Sequence, residues 1–186
     1  MRELALHLLD LVQNASEAGA RHVEVTITEA PSDDRLTIEV CDDGRGMDAV
    51  TAARVTDPFF TTRTTRHVGL GLPLAAAGAE QAGGGIAIQS APGQGTCITL
   101  TYQWRHWDRP PVGDLPATLM AILLGNADLA LRYVHRVEQQ AFILESQVLR
   151  QALGDVPLSH PAVRVWLDDY LHEGEAALAL PTVEAI

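Results

Sequence analysis

The sequence contains no lysine, because all 13 of its basic residues are arginine. A nucleotide site that depends on a lysine at the phosphates therefore cannot be built from this chain. Acidic residues number 24, which gives a formal net charge of −11 at pH 7. This excess of negative charge argues against nucleic acid or an anionic membrane surface as the main partner.

Cysteine is also scarce, since only Cys41 and Cys97 are present and neither has a close cysteine or histidine neighbour in sequence. This spacing indicates neither a metal site nor a disulfide framework, so we predict two core strand residues. Long apolar runs are missing as well. Residues 4–12 are apolar but are interrupted by His7 and Asp10, and they are too short to span a membrane. We expect a cytoplasmic protein.

Apolar residues make up 47% of the 186-residue chain, which is enough for a core that needs no metal or disulfide. Hydrophobic periodicity predicts helices over 3–18, a short one from 48, and 71–82, and strands over 22–29, 36–40, 86–90 and 96–103. Two hairpins in this order predict an α+β fold. We expect a two-layer α/β sandwich, in which a mostly antiparallel sheet carries helices on one face.

The C-terminal part is predicted to be a second, small α+β unit. Pro110 and Pro111 mark a linker, and the residues after it predict a helix, a β-hairpin and two helices. Ser159 is the predicted cap of the last helix, with Pro161 in its first turn. The predicted boundaries are 1–103 for the first domain, 104–113 for the linker, 114–178 for the second unit and 179–186 for a tail.

One face of the first predicted helix carries His7, Asp10, Asn14 and Glu17, which are spaced three or four residues apart. A solvated helix face would give the same pattern, so the spacing alone does not indicate a site. His7 lies one turn before Asp10. It could relay a proton or accept a phosphoryl group, or it could be a half-buried polar residue bonded to the backbone.

Two glycine motifs add to this helix. Asp42-Asp43-Gly44-Arg45-Gly46-Met47 follows an apolar strand, and its glycines allow a ligand to approach the backbone closely. Gly69-Leu70-Gly71-Leu72 opens a helix, where backbone N–H groups favour anions. Pro58-Phe59-Phe60-Thr61-Thr62-Arg63 adds hydroxyls and a cation, and Gly95-Thr96 leads into the last strand of this part.

In this order, the motifs resemble the Bergerat-type ATP-binding fold of histidine kinases, type II topoisomerases, a heat-shock chaperone and mismatch-repair ATPases. The resemblance covers residues 1–103 and implies ATP and Mg²⁺ as ligands. It implies that Asn14 holds the Mg²⁺ and that Glu17 contributes to the cofactor site. Asp10 matches the acid that orients or deprotonates the nucleophile. That acid is usually Glu, and the shorter Asp would act through a bridging water.

The resemblance also implies how the base is recognised. Asp42 matches the carboxylate that accepts the adenine amino hydrogens, and Thr96 matches a threonine beside it. Gly44 and Gly46 match the glycines under the base, and Met47 matches an apolar contact to it.

A short mobile lid over the phosphates is the third implication. Its implied cofactor-binding residues are Thr61, Arg63, Gly69, Leu70, Gly71 and Leu72. The first glycine usual in the lid-closing motif is replaced by His67, which we expect to restrict lid motion. Arg63 or Arg66 could supply the phosphate cation that lysine supplies elsewhere in the superfamily.

Three functions are compatible with these motifs. The first is an ATPase or protein kinase module that acts on a partner protein in signal transduction, since no phosphoacceptor motif is visible. The second is a nucleotide-sensing regulator without turnover, and the third is a scaffold that binds no nucleotide. Residues 3–14 and 108–114 look like free-standing bacterial ATP-binding proteins found beside iron-hydrogenase subunits. The expected partner is thus a phosphoacceptor or a redox-enzyme subunit, with a homodimer possible.

Overall fold

The computed structural model describes residues 3–57 and 71–178. The helices are α1 (Leu4–Glu17), α2 (Ala49–Arg54), α3 (Gly71–Gln81), α4 (Leu115–Gly125), α5 (Ser146–Leu153) and α6 (Pro161–Ala176). The strands are β1 (His22–Ala30), β2 (Arg35–Asp42), β3 (Gly85–Ser90), β4 (Thr96–Gln103), β5 (Ala130–Val137) and β6 (Gln140–Glu145). A short 3₁₀ turn, Pro31–Asp33, joins β1 to β2.

The strands form one six-stranded sheet in the order β3-β4-β2-β1-β5-β6. Every pairing is antiparallel except that of β1 with β5. In the helix layer, α1 contacts α3 and α4, and α4 contacts α6. The predicted α+β sandwich with a mostly antiparallel sheet is therefore confirmed.

Strand alternation decides which side chains meet the helix layer. On β2, Leu36, Ile38 and Val40 are buried and belong to the main hydrophobic cluster, while the residues between them are more exposed. We call the side of the sheet that carries these three residues the inner face and the opposite side the outer face. The two-residue period places Asp42 on the inner face and Cys41 on the outer face.

Helix α1 buries the predicted apolar stripe against the inner face. Its N-terminus is closed by the predicted linker, because the Leu4 N–H donates to the Pro111 carbonyl and the Ala5 N–H donates to the Val112 carbonyl, both at 2.9 Å. These bonds satisfy two of the N–H groups that every helix leaves open at its start. Gly19, with φ of 81°, follows the helix and confirms the predicted stop.

The C-terminal hairpin extends the same sheet. β5 runs parallel to β1, with Val23 beside Leu131 and Ile27 beside His135. The predicted order of a helix, a hairpin and two helices is present in α4, β5–β6, α5 and α6. The predicted boundaries of the two units and of the linker stay predictions.

Two details of the prediction are wrong. The residue that precedes α6 as its N-cap is His160, without a side-chain capping bond, whereas Ser159 was predicted to be the cap. Cys41 and Cys97 lie in strands but are half-exposed on the outer face and are joined by a disulfide. Antiparallel pairing of β2 with β4 sets them side by side despite a sequence separation of 56. Sequence distance therefore gave no information about their contact.

Helix α4 is strongly apolar, and its buried residues include Leu119, Ile122 and Leu123. It has 11 residues, whereas a membrane span needs about 20. No helix within residues 3–57 and 71–178 is both long and apolar enough to cross a bilayer.

Candidate functional site

Asp42 ends β2 on the inner face and is half-buried. Its Oδ1 accepts a hydrogen bond of 2.8 Å from the Gly44 N–H. Burial raises the pKa of Asp42, while backbone hydrogen bonds from Gly44 and Thr96 act in the opposite direction. The Asp42 carboxylate is therefore held in one orientation, in the register position opposite Thr96. It is suited to accept hydrogen bonds from the amino group of a ligand.

The turn after Asp42 is fixed between α1 and the β3–β4 turn. The Arg45 N–H donates to the Ala18 carbonyl at 3.0 Å, and the Arg45 guanidinium donates to the Glu17 carbonyl at 3.0 Å. On the other side, the Gly93 N–H donates to the Arg45 carbonyl at 2.8 Å. The motif is therefore a preformed edge of the site.

Backbone packing accounts for the glycines at two positions. Gly46 has φ of 64°, and a Cβ there would lie 2.0 Å from the Ala91 carbonyl oxygen. Gly95 has φ of 79°, and a Cβ there would lie 1.8 Å from the Asp42 carbonyl oxygen. Both glycines thus permit close contact between two turns. The predicted place of Gly44 and Gly46 under a base stays a prediction.

Substituting Gly46→Ala is expected to lower the free energy of unfolding by at least about 2 kcal/mol, because left-handed backbone strain adds to a backbone clash. The matched control is Gly93→Ala. Gly93 also has a positive φ, 73°, but a Cβ there would meet nothing within 4 Å, so a loss of about 1 kcal/mol is expected. Urea denaturation of both variants checks the difference. Equal losses would contradict the role assigned to the Ala91 contact.

Ser90 is a residue that the sequence analysis missed. Its Oγ accepts a 2.8 Å hydrogen bond from the Met47 N–H and donates to the Gly95 carbonyl at 3.0 Å. It also lies 2.9 Å from Thr96 Oγ1. Because Ser90 has one hydroxyl hydrogen, Thr96 is the donor in that contact. Ser90 thereby joins the Asp42–Met47 turn to Thr96, and only its place before the Ala91–Gly95 turn could have suggested this role.

Asp43 is a second missed residue, and it holds the start of β1. Its Oδ1 accepts the N–H groups of Arg21 and His22 at 2.7 and 2.9 Å, and its Oδ2 lies 2.7 Å from His22 Nδ1. The backbone and side-chain bonds from His22 lower the pKa of Asp43 to about 2. The two adjacent aspartates therefore have different tasks, since Asp43 anchors a strand and Asp42 faces the helix layer.

Helix α1 carries the other predicted residues. Asp10 and Asn14 are half-buried, Glu17 is exposed, and His7 is 4% exposed. The Asp10 carboxylate lies close to the start of α3, since a Cβ on Gly71 would be 3.2 Å from Asp10 Oδ2. α1 thus touches the α3 N-terminus near Asp10 and the Asp42–Met47 turn near Ala18.

The predicted lid is only partly described. Thr61, Arg63, Gly69 and Leu70 lie outside the described residues, as do Arg66 and His67. Gly71 begins α3, as predicted for a helix-opening glycine. The Leu72 side chain is 6% exposed and belongs to the hydrophobic core.

These groups fit a nucleotide with a hard cation. Asn14 offers an amide oxygen and Asp10 a carboxylate, which are ligand types that Mg²⁺ accepts together with phosphate and water. The α3 N-terminus favours negative charge. The half-buried Asp42 carboxylate suits an amino group at the other end of α1.

This chain is similar to known proteins over the region that contains these groups. Residues 2–106 match the model of the family described as histidine kinase-, DNA gyrase B-, and HSP90-like ATPase. The sensor protein kinase FleS of Pseudomonas aeruginosa is 42% identical over 94 residues, covering 50% of this chain and 23% of FleS. The sensor histidine kinase ZraS of Escherichia coli K12 is 36% identical over 93 residues, covering 50% of this chain and 20% of ZraS.

Among solved structures, the N-terminal domain of a DNA repair protein superposes with a TM-score of 0.55 at 13% identity. The superposition covers 78% of this chain and 53% of the other, and it supports the fold alone. The chain spans less than a quarter of the length of the two curated kinases. The family match covers more than half of the chain. The chain therefore belongs to the histidine kinase-, DNA gyrase B- and HSP90-like ATPase family, as an ATP-binding, kinase-like module.

Proposed function

We propose that this chain binds Mg-ATP and transfers the γ-phosphoryl group to a partner protein or to water. The observation that carries the proposal is the position of Asp10, a half-buried acid on α1 placed against Gly71 at the start of α3. A helix N-terminus is a place where phosphate oxygens would be bound. A carboxylate beside it lies where a nucleophile would approach the phosphate.

In this proposal, each element has one task. Asp42 selects adenine, because the exocyclic oxygen of guanine would repel its carboxylate. Asn14 holds Mg²⁺, which supplies charge neutralisation at the phosphates when it is bound. The backbone N–H groups at the start of α3 bind phosphate oxygens, and Asp10 orients the attacking hydroxyl or water. Catalysis is then mainly positioning and electrostatic stabilisation.

The proposed acceptor is another protein in a signalling or redox pathway. The sensor kinases that match this chain support a signalling partner. The resemblance of residues 3–14 and 108–114 to proteins found beside iron-hydrogenase subunits supports a redox-enzyme subunit as the alternative acceptor. A homodimer is compatible with both.

Substituting Asp10→Asn is expected to lower turnover by at least about 100-fold, because it removes the proton acceptor and keeps the shape. The ATP dissociation constant should stay within about threefold, since the substitution leaves the adenine site intact. Phosphate release from γ-labelled ATP and calorimetry measure the two effects.

The matched control is Asp10→Glu, which restores the acid that is usual in the superfamily and should retain turnover. Unchanged turnover in Asp10→Asn would remove Asp10 as the base. Loss of ATP binding in Asp10→Asn would instead assign Asp10 to binding.

A second candidate function is a nucleotide sensor without turnover, in which ATP shifts a partner-binding surface. The shorter acid at Asp10 favours it. If ATP binds and neither labelled protein nor free phosphate appears with partners recovered by pull-down from the native cell, the sensor function replaces the catalytic one.

A further inference from the structure

The Cys41–Cys97 pair lies directly behind the proposed adenine site. Cys41 precedes Asp42 on β2, and Cys97 follows Thr96 on β4. The register sets Cys41 opposite Cys97 and Asp42 opposite Thr96. Because side chains alternate, the sulfurs are on the outer face while Asp42 and Thr96 point to the inner face.

The pair can be reached from outside. Both cysteines are half-exposed, and Cys41 lines a groove of about 370 Å³ on this side of the sheet. Two charged side chains of the groove lie close to Cys41, since Glu24 is its neighbour on β1 and Arg132 on β5 is bonded to Glu24. Exposed disulfides are the ones that exchange readily with external thiols.

The fold does not depend on the sulfur bond for its strand order. β2 and β4 are paired over residues 35–42 and 96–103, and each has a further neighbour in the sheet. The backbone ladder therefore keeps the two cysteines side by side when they are reduced. Such a pair can open and close without unfolding.

We propose that Cys41 and Cys97 form a reversible dithiol–disulfide site that exchanges with an external dithiol, and that its state tunes ATP affinity. In the reducing direction, a thiolate of the external dithiol attacks Cys41 Sγ, breaks the bond to Cys97 and releases the Cys97 thiolate. The second thiolate of the external dithiol then attacks the dithiol sulfur that is bonded to Cys41 Sγ. This step closes the dithiol into a disulfide and releases the Cys41 thiolate. Both released thiolates take up protons. Two electrons and two protons pass to the protein, and the external dithiol becomes a disulfide.

The coupling to ATP rests on the proposed function. The disulfide ties together the strand positions next to Asp42 and Thr96, so the oxidised protein presents a more preorganised adenine site. Preorganisation lowers the ordering cost of binding. We expect ATP to bind about three- to tenfold more tightly to the oxidised than to the reduced protein.

The test is a titration of the full chain with reduced and oxidised dithiothreitol, followed by alkylation, mass measurement and circular dichroism. The expected result is a change from zero to two alkylated thiols with an unchanged spectrum, reversed on reoxidation. Thiols that appear only when the spectrum is lost would overturn the exchange site, and so would disulfides between two chains.

Two single variants test the assigned route of attack. In Cys97→Ser, the remaining Cys41 in the groove should form a mixed disulfide with glutathione faster than Cys97 does in Cys41→Ser. The reverse order would overturn attack at Cys41. In both variants, the ATP dissociation constant should no longer depend on the redox buffer.

Calorimetry with ATP in each redox state separates the two proposals. Equal dissociation constants in both states would overturn the coupling while leaving ATP binding intact. No ATP binding in either state would overturn the proposed function and the coupling together, and the thiol count would still decide the exchange site.

Discussion

Replacing His135 by Ala is expected to lower the free energy of unfolding by about 3–5 kcal/mol, because it leaves the buried Glu29 and the partly buried Glu175 without their shared cation. His135 lies on β5 and is 4% exposed. Its Nδ1 is 2.7 Å from Glu175 Oε2 on α6, and its Nε2 is 2.9 Å from Glu29 Oε1 on β1. The imidazolium therefore connects the ATP-binding part of the sheet to the last helix.

His135 lies between the carboxyl groups of Glu29 and Glu175 in an enclosed position. The Tyr133 hydroxyl donates to Glu175 at 2.7 Å, and Arg109 lies near enough to interact with Glu29 electrostatically. Glu29 Oε2 has no hydrogen-bond partner among residues 3–57 and 71–178. Removing the imidazolium would take a further hydrogen bond from Glu29, whose carboxylate already lacks one within the described part of the chain. The expected loss of stability is therefore large.

The same cluster fixes the sign of a pH dependence. Burial lowers the pKa of His135, but the hydrogen bonds and charges of Glu175 and Glu29 outweigh it and raise the pKa to about 9. A raised pKa in the folded state gives stability that is fully present below the unfolded value of about 6.5 and is lost as the pH rises through about 9. Urea denaturation of the unmodified chain should therefore show falling stability over that window.

The control is His172→Ala, which removes an exposed histidine from α6, the helix that carries Glu175. His172 Nδ1 lies 2.8 Å from the Asp168 carbonyl oxygen and 3.6 Å from Asp168 Oδ2, and the His172 side chain is 56% exposed. A loss below about 0.5 kcal/mol is expected. The assigned role of His135 would be wrong if its variant behaved like the control or kept the pH dependence.

Most of the features that could be predicted depend on the spacing of residues within a single strand or helix. Alternation on β2 leads directly to the inner-face position of Asp42, and helical spacing places Asp10 and Asn14 on one side of α1. Both positions follow from the two-residue period of a strand and the 3.6-residue period of a helix, which can be counted along the sequence. The helix start at Gly71 is likewise a local signal.

Contacts between distant segments could not be predicted. The Cys41–Cys97 bond needs the β2–β4 register, and the Glu29–His135 contact needs the parallel pairing of β1 with β5. Neither register is encoded by the spacing of the residues that it brings together. Ser90 was missed for the same reason, because its partners Met47 and Thr96 come from two other elements.

Replacing Asp42 by Ala is expected to weaken ATP binding by about 10- to 100-fold, because a hydrogen bond to a charged acceptor contributes about 1.5–3 kcal/mol. Asp42 is the half-buried carboxylate of the inner face at this end of β2, and its Oδ1 is already held by Gly44. The proposed adenine contact therefore meets a preoriented acceptor. Calorimetry with ATP and GTP measures the effect, and the preference for ATP should fall along with the affinity.

The neighbouring Asp43→Ala is the matched control, since it removes the same charge from the same turn. Asp43 holds the backbone of Arg21 and His22, so its loss should lower the stability of the chain. Its ATP dissociation constant should stay within about threefold of that of the unmodified chain, because no adenine contact is removed. If the two variants weakened ATP equally while both kept their circular dichroism spectra, the general charge of the turn would explain binding. Selection of adenine by Asp42 would then have to be abandoned.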